Sequence, residues 1–371
     1  MDFVYSESQR MLAESLERLV QSEWTMPKRR ARQAQGVVDA GAWETLADMG
    51  VLGLTIAPAY EGFGEDPSSL VPVHLALGRG LVDEPVIPSA VMGAALIAAT
   101  DNEAHHAALL PGVAQGTVVL AVAYQEPNRR YHTRPMSMHA TAAPDGYRLT
   151  GLKKQVWHGA AATHWIVSAR TEEGRTAIFV VPADTAHVRV IDAPTFDRSR
   201  CADIVFENAP LPHSALLVDG RDADRALATG IEWGIAALSI QAAGAMQRAI
   251  DLTATYLKDR RQFGQPLASF QALQHRLADM LVAKEMALSM AYVAVAALSE
   301  TDAPRRAKMI SQAKIETARA GRFIGEQAIQ LHGGMGMTDE MEIGDYFKRL
   351  TALELLLGDT SEHFRILETL A

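Results

Sequence analysis

The feature that most constrains the fold of this chain is a change of residue pattern that begins near Gly116 and ends near Val218. Before it, apolar residues recur at helical spacing, as at Leu12, Leu16 and Leu19. Within it, short runs rich in β-branched residues alternate with Gly, Pro, Asp and Asn, which is typical of closely spaced strands. After it, long helical patterns return. We therefore expect an α+β chain with an N-terminal helical domain (1–115), an antiparallel β-barrel or sandwich domain (116–220) and a C-terminal helical domain (221–371).

Composition excludes several classes of protein. The chain has 371 residues, 48% hydrophobic and 21% charged, as in an ordinary globular protein of two or three domains. Its net charge of −9 disfavours nucleic acid or an anionic membrane as the main partner. The single cysteine, Cys201, rules out an internal disulfide and suits a reducing cytosol. We see no signal peptide, no bilayer-spanning segment and no metal-ligand spacing among the histidines, and expect a cytoplasmic protein.

The stretch from Gln330 to Glu362 draws attention to the end of the chain. Gly333, Gly334 and Gly336 follow Gln330, which predicts the end of a helix at a bend that another group can approach closely. An amphipathic helical run then covers 346–357 and stops at Gly358. Taken alone, this stretch predicts a helical hairpin with glycine caps.

Five ordered motifs resemble the acyl-CoA dehydrogenase family, and together they cover essentially the whole chain. They are GVLGLTIAPAYEGFG (50–64), QEP (125–127), GLKKQVWHG (151–159), DRRQFGQPLASFQALQHRLADM (259–280) and QLHGGMG (330–336). The resemblance implies helices, then a β domain, then a four-helix bundle. The ending YFKRLTALELLLGD is most similar to small subunits of pimeloyl-CoA-type dehydrogenases and related heteromeric bacterial enzymes.

This resemblance implies an FAD site between the β domain and the bundle, with the diphosphate and adenosine crossing to a neighbouring subunit. By motif, Arg260, Gln262, Phe263 and Gln271 would face the diphosphate and adenine, and a guanidinium suits paired phosphate oxygens. The alternative for Arg260 is a solvated charge at a helix end. The segment from Gln330 through Gly333 and Gly334 would approach the same cofactor from the partner chain; its alternative is the glycine cap described above.

Two further sets of residues match the family's cofactor-binding motifs less directly. Gln125, Gln155, Val156 and Trp157 fall where the family places groups beside the flavin ring, although Trp157 is displaced by two positions and a core role is an equal alternative. Thr360 and Glu362 match a family T-x-Q that contacts FAD. Glu362 replaces the glutamine there with an acceptor-only group, which weakens that assignment.

The reaction implied is α,β-dehydrogenation of an acyl-CoA thioester, in which a carboxylate removes the α-proton. The position of the family's catalytic glutamate is Gly358, and the alternative base position is Gly234. Three hypotheses remain: Asp359 is the base, Glu232 is the base, or a partner subunit supplies it; an altered activity is a fourth possibility. On the substrate side we expect Glu232, Arg129 and the Gly358 backbone, with Arg129 otherwise a solvated residue of a basic loop.

The expected partners follow from the same resemblance. We expect an acyl-CoA substrate with a bulky or carboxylated acyl chain and either a homo-oligomer or a heterotetramer with a second acyl-CoA dehydrogenase-like chain. The electron acceptor would be an electron-transfer flavoprotein or oxygen. The rival hypothesis is a non-catalytic structural subunit that completes the FAD site of its partner.

Overall fold

In the computed structural model, which describes residues 5–36 and 38–370, the elements follow the predicted order of helices, strands and helices. The first helix, which the apolar spacing predicts, begins where Ser6 and Gln9 form a capping box. Asn102 caps a separate helix by accepting a hydrogen bond from His105 N at 3.2 Å. The N-terminal helices are α1 (Glu7–Glu23), α2 (Met26–Gln35), α3 (Ala40–Asp48), α4 (Leu70–Arg79), a π-helical segment (Val86–Gly93) that continues into α5 (Ala94–Ala98), and α6 (Glu103–Ala114).

The middle of the chain forms an eight-stranded sheet. Its strands are β1 (Leu120–Ala123), β2 (His139–Ala143), β3 (Gly146–Trp157), β4 (His164–Arg170), β5 (Thr176–Pro182), β6 (Val188–Pro194), β7 (Arg200–Leu211) and β8 (Leu216–Asp219). Their order is β6-β7-β3-β2-β4-β5-β8, and β1 pairs with β4. The expectation of a purely antiparallel sheet is wrong, because β1 and β2 each pair with β4 in parallel. Strand β4 can pair with both β1 and β2 because β2 meets it at a single position, where His139 lies opposite Arg170.

Burial differs sharply between the edge strand β6 and strands β4 and β5. Strand β6 has no buried residue and carries charged side chains and a terminal proline, which is how proteins protect an exposed edge. Strands β4 and β5 are buried almost throughout. Trp165, Phe179 and Phe206 lie in the resulting core.

The C-terminal part is again helical. It contains α7 (Gly220–Asp259), a short hairpin of β9 (Arg261–Gln262) and β10 (Gln265–Pro266), α8 (Gln271–Ala297), α9 (Ala303–His332), α10 (Ile343–Leu355) and α11 (Thr360–Thr369). The predicted helix stop at Gly333 and the amphipathic run ending before Gly358 are confirmed as the ends of α9 and α10.

The chain divides into two compact units. The bundle unit contains the described residues up to Ala31, Pro67–Val82 and the chain from Ile235 onward; the sheet unit contains the described residues of Arg32–Asp66 and Asp83–Gly234. In the bundle unit, α9 packs against α8, α10 and α11. The sheet unit is built around the core of the eight-stranded sheet. The division into three domains at residues 115 and 220 stays a prediction.

Among the residues that the structure describes, two helices are long and apolar enough to cross a membrane by length and composition alone, contrary to the expectation that nothing approaches such a segment. The apolar window of α7 is 78% buried inside the protein, as in the core helix of a globular domain. The window of α8 is only 39% buried, so much of its apolar surface faces outward.

Candidate functional site

A surface cavity of the bundle unit brings together residues from two distant stretches of the sequence. Its volume is about 550 Å³. Arg260 and Gln262 line it from the end of α7 and from β9, and Gln330 and Gly333 line it from the end of α9. The expectation that the second pair approaches the cofactor from a partner chain stays a prediction. Within this single chain, both motifs face the same space. The reason is that the two helix ends, α7 and α9, meet at this surface.

The cavity is rich in hydrogen-bond donors. Arg260, Gln262 and Gln330 are exposed, so their polar ends are available to a ligand. Around the Cβ positions of Gly333 and Gly334 there is no atom within 4 Å, so the backbone is open to close approach. A guanidinium, two amides and open backbone together suit the paired oxygens of a diphosphate.

Three of the polar or aromatic residues that line the cavity were not assigned a role from the sequence. Arg276, on the first turns of α8, adds a second guanidinium to the cavity. Tyr256 and His332 stack with ring centroids 4.4 Å apart and also line it. His332 Nδ1 donates to Ala328 O at 2.8 Å, and burial lowers the pKa of His332, so its ring is neutral. Helical spacing could have indicated Arg276, but the stacking of Tyr256 on His332 depends on tertiary packing.

The hairpin β9–β10 presents an aromatic side chain beside this cavity. Phe263 and Gly264 both have positive φ, 52° and 81°, as a two-residue type I′ turn requires. The turn leaves Phe263 90% exposed. Its ring meets the ring of Phe270 in an edge-to-face arrangement, with the two centroids 6.2 Å apart. Gln271, the first residue of α8, is also exposed. Nothing in the described chain covers Phe263, which is consistent with contact to a ligand or to another chain.

The turn after α10 holds the residues expected near the substrate. Gly358 is buried, with φ of 108°. Asp359 Oδ1 accepts a hydrogen bond from Glu362 N at 2.9 Å and so caps α11. Thr360 is the first residue of α11 and donates to Glu354 Oε1 at 3.4 Å. The carboxylate proposed as a base is therefore engaged as a helix cap.

Glu362 carries a negative charge, which is expected to be unfavourable near a diphosphate. Arg365 pairs with it in a bidentate manner, with Nε to Oε2 at 2.9 Å and Nη2 to Oε1 at 2.6 Å. Because the charge is balanced within the helix, Glu362 does not by itself oppose an anionic ligand.

In the sheet unit, a buried ion pair organises the loop that contains Gln125. Lys153 Nζ donates to Glu126 Oε1 at 3.0 Å, to Tyr124 O at 3.1 Å and to Ser168 Oγ at 3.1 Å. Burial would raise the pKa of Glu126, but Lys153 and the N–H groups of Ser137 and Met136 lower it to about 2. Gln125 O accepts from Lys154 N at 2.9 Å, which holds this loop on β3. The pairing of Glu126 with Lys153 was not predicted from the sequence.

The other residues predicted beside a flavin follow a β-bulge in β3. The register with β7 shifts between Lys153 and Val156, and Gln155 adopts φ of 51° there. Val156 packs in the sheet core, so only its backbone can face a ligand. Gln155 is exposed and Trp157 is half-buried. The indole N–H of Trp157 is buried and has no hydrogen-bond partner in the described chain, which leaves a donor for a bound group.

Arg129 and Glu232, both predicted on the substrate side, lie in the sheet unit. Arg129 is half-buried, and its Nε has no hydrogen-bond partner among the described residues. The neighbouring Arg130 lies over the Tyr131 ring, 5.1 Å from its centroid. Glu232 is 9% exposed on α7. Among the described residues, no group of three or more His, Cys, Asp or Glu side chains could hold a metal ion.

Comparison with known proteins gives matches over the whole chain. Residues 6–117 match the acyl-CoA dehydrogenase N-terminal domain, and residues 224–368 match the acyl-CoA dehydrogenase C-terminal domain. The chain is 27% identical to the acyl-CoA dehydrogenase FadE27 of Mycobacterium tuberculosis over 98% of its own length and 97% of the relative's. It is 28% identical to a chain of a Tcur3481-Tcur3483 steroid ACAD variant, with a TM-score of 0.88 over 98% of this chain and 97% of that one. A glutaryl-CoA dehydrogenase of Mycobacterium smegmatis solved with FADH2 has the same fold, with 22% identity and a TM-score of 0.88 over 98% and 94% of the two chains.

Proposed function

The chain belongs to the acyl-CoA dehydrogenase family, whose cofactor is FAD, and from this premise we propose that it is one subunit of a heteromeric acyl-CoA dehydrogenase. In this proposal the chain contributes donors to the diphosphate side of an FAD site. A second family chain supplies the carboxylate that removes the α-proton. The observation that carries the proposal is the contrast between the donor-rich cavity at Arg260 and the glycine at position 358.

The residues around the cavity fit the cofactor. Arg260 and Arg276 would neutralise a diphosphate, and the open backbone at Gly333 and Gly334 would let it approach closely. When bound, FAD supplies the acceptor for the hydride that leaves the β-carbon of the thioester. The exposed Phe263 offers an apolar surface beside the same cavity. The indole N–H of Trp157 provides a further donor in the sheet unit.

The absence of a carboxylate at position 358 supports a base on another chain. Asp359 is one residue away, but its carboxylate accepts the Glu362 N–H and caps α11. Using it as a base would cost the cap. Asp359 remains the proposed base only if the chain catalyses the reaction alone. Glu232 precedes Gly234, the alternative base position, by two residues on α7, so its side chain points to another side of the helix.

An apolar surface on α8 supports a partner of the same family. Leu281, Val282 and Met286 are 41%, 60% and 53% exposed on adjacent turns of this helix. Single exposed apolar residues are normal, but a cluster on a helix whose most apolar 18-residue window is only 39% buried indicates a covered face. The relative described as the Tcur3481-Tcur3483 steroid ACAD carries two component names, which supports a two-chain enzyme as the occupant.

The substrate class is part of the proposal. The same relative is described as a steroid ACAD, which supports a bulky acyl chain. Arg129, with its unpartnered Nε, offers a donor for a carboxylate or a CoA phosphate. We propose a cytoplasmic enzyme that passes its electrons to an electron-transfer flavoprotein.

The test is to purify the chain alone and together with a second family chain, and to measure bound flavin and acyl-CoA-dependent dye reduction. We expect a colourless, inactive chain alone and a yellow, active complex. Arg260→Gln in this chain should reduce the FAD content of the complex. Arg322→Gln, on the exposed Arg322–Glu326 pair of α9, is the matched control. A chain that alone binds FAD and turns over would overturn the two-chain proposal.

A further inference from the structure

The turn between α10 and α11 is held by side chains from two other positions of the bundle unit. Lys314, on α9, is 2% exposed, and its ammonium donates to Leu353 O at 3.1 Å, Glu354 O at 2.8 Å and Gly358 O at 2.8 Å. The first two carbonyls belong to the last turn of α10, which has no partners for them within the helix. Lys314 therefore ties the end of α10 to the turn. Burial lowers the pKa of Lys314 to about 7, against the opposing effect of Glu354 and Asp359, and in its charged form all three protons are used.

His363, on α11, holds the same turn from the other side. Its Nε2 lies 3.2 Å from Leu357 O and its Nδ1 lies 3.1 Å from Ser311 Oγ. Since a carbonyl can only accept, Nε2 carries the proton, and Nδ1 accepts from the serine hydroxyl. Burial and the nearby Lys314 lower the pKa of His363 to about 4, so the ring is neutral and this arrangement is stable at neutral pH.

The backbone between these two contacts is unusual. Leu357 has φ of 60° and Gly358 has φ of 108°, so a leucine occupies the left-handed region next to a glycine. Such a conformation persists in a leucine only where the surroundings enforce it. A Cβ added at position 358 would lie 2.6 Å from His363 Nε2 and 3.0 Å from its Cδ2. The space where a side chain would begin is thus filled by the imidazole.

We propose that Lys314 and His363 are positioning residues that lock the Leu357–Gly358 turn in a conformation reserved for glycine, so that this chain presents backbone and no side chain at position 358. In the described chain the Gly358 N–H has no hydrogen-bond acceptor, and the lock leaves this donor available to a ligand carbonyl. Replacing Gly358 with Asp or Glu would therefore not by itself place a carboxylate there, because His363 occupies the space of the side chain. The inference deepens the proposed function and rests on it only for the statement that position 358 faces the substrate.

The first test is a double-mutant cycle on thermal unfolding of the full chain, with Gly358→Ala, His363→Ala and the combination. We expect Gly358→Ala to lower the unfolding temperature by at least a few degrees, and by clearly less in the His363→Ala background. Some loss should remain there because the positive φ still penalises alanine. An equal loss in both backgrounds would overturn the lock. Neither result depends on flavin, partner chain or activity, so the proposed function can fail independently.

The second test is hydrogen exchange of the 356–362 amides by mass spectrometry. Lys314→Met should accelerate exchange in this segment, while Lys308→Met, an exposed lysine of the same helix, should not. His363→Gln can still donate to Leu357 O and should retain protection, whereas His363→Leu should lose it. Unchanged protection in Lys314→Met, or equal protection in both His363 variants, would contradict a positioning role. If Lys314→Met does not fold, hydrogen exchange in the two His363 variants and the double-mutant cycle still test the proposal.

Discussion

Asp359 shows how one carboxylate can be assigned two roles from the sequence and how a pair of substitutions separates them. Asn is as good an N-cap as Asp but cannot act as a base, whereas Ala can do neither. We predict that Asp359→Asn leaves turnover of the reconstituted enzyme unchanged. Asp359→Ala should lower the free energy of unfolding by about 1 kcal/mol. Turnover and chemical denaturation of both variants check this. Loss of turnover in Asp359→Asn, with stability intact, would identify Asp359 as the base.

His363 should make the stability of the chain depend on pH. Its pKa is lowered from 6.5 to about 4, first by burial and then by Lys314, with Glu362 and Asp359 acting in the opposite direction. Between pH 6.5 and about 4, His363 is therefore protonated in the unfolded chain but neutral in the folded chain. The stabilisation is complete above pH 6.5 and is lost as the pH falls towards 4, by at most about 3 kcal/mol.

The measurement is the free energy of unfolding of the wild type and His363→Gln across this pH range. The wild type should lose stability more steeply on acidification than the variant. Parallel profiles would show that His363 does not carry the effect.

At the scale of elements, the pair Glu126–Lys153 fixes the loop after β1 to strand β3. Both side chains are almost fully buried, at 3% and 0% exposure. Lys153→Met should cost roughly 3–5 kcal/mol, because it leaves the Glu126 carboxylate buried without its partner. The double variant with Glu126→Gln should recover part of this loss. Lys154→Met, whose side chain is 41% exposed beside Asp203, should cost under about 1 kcal/mol. Denaturant unfolding compares the three; equal losses for Lys153 and Lys154 would contradict the account.

The same scale shows which features the sequence could predict. Local signals were sufficient for α1, because Ser6 and Gln9 lie in the capping box itself, and for the ends of α9 and α10 at glycines. The parallel pairing of β1 with β4 was not predictable, because it depends on which strands meet after the chain has crossed the sheet.

Within the site, the same distinction holds. Motifs identified Arg260 and Gln330, but the cavity they share follows from the meeting of two helix ends. Lys314 gave no signal, since a lysine in a helical run is usually solvated, and its burial depends on the α10 carbonyls that it caps.

At the scale of the whole molecule, the two-chain account makes a prediction about the α8 surface. Met286→Glu would place a charge on a face that is expected to be covered, so it should weaken assembly with the second chain while leaving the fold intact. Analytical ultracentrifugation of the co-purified chains measures this. Ser289→Glu, at an already polar exposed position of the same helix, is the control. Assembly that is unaffected by Met286→Glu would place the interface elsewhere.

The most direct test of the central claim is the FAD content of the purified two-chain complex, measured by flavin absorbance, when only this chain carries Arg260→Gln. The cavity places the Arg260 guanidinium where a diphosphate is expected, so the complex should assemble normally but lose most of its flavin, while Arg322→Gln retains it. A complex that keeps its full FAD content with Arg260→Gln would contradict the claim that this chain holds the cofactor.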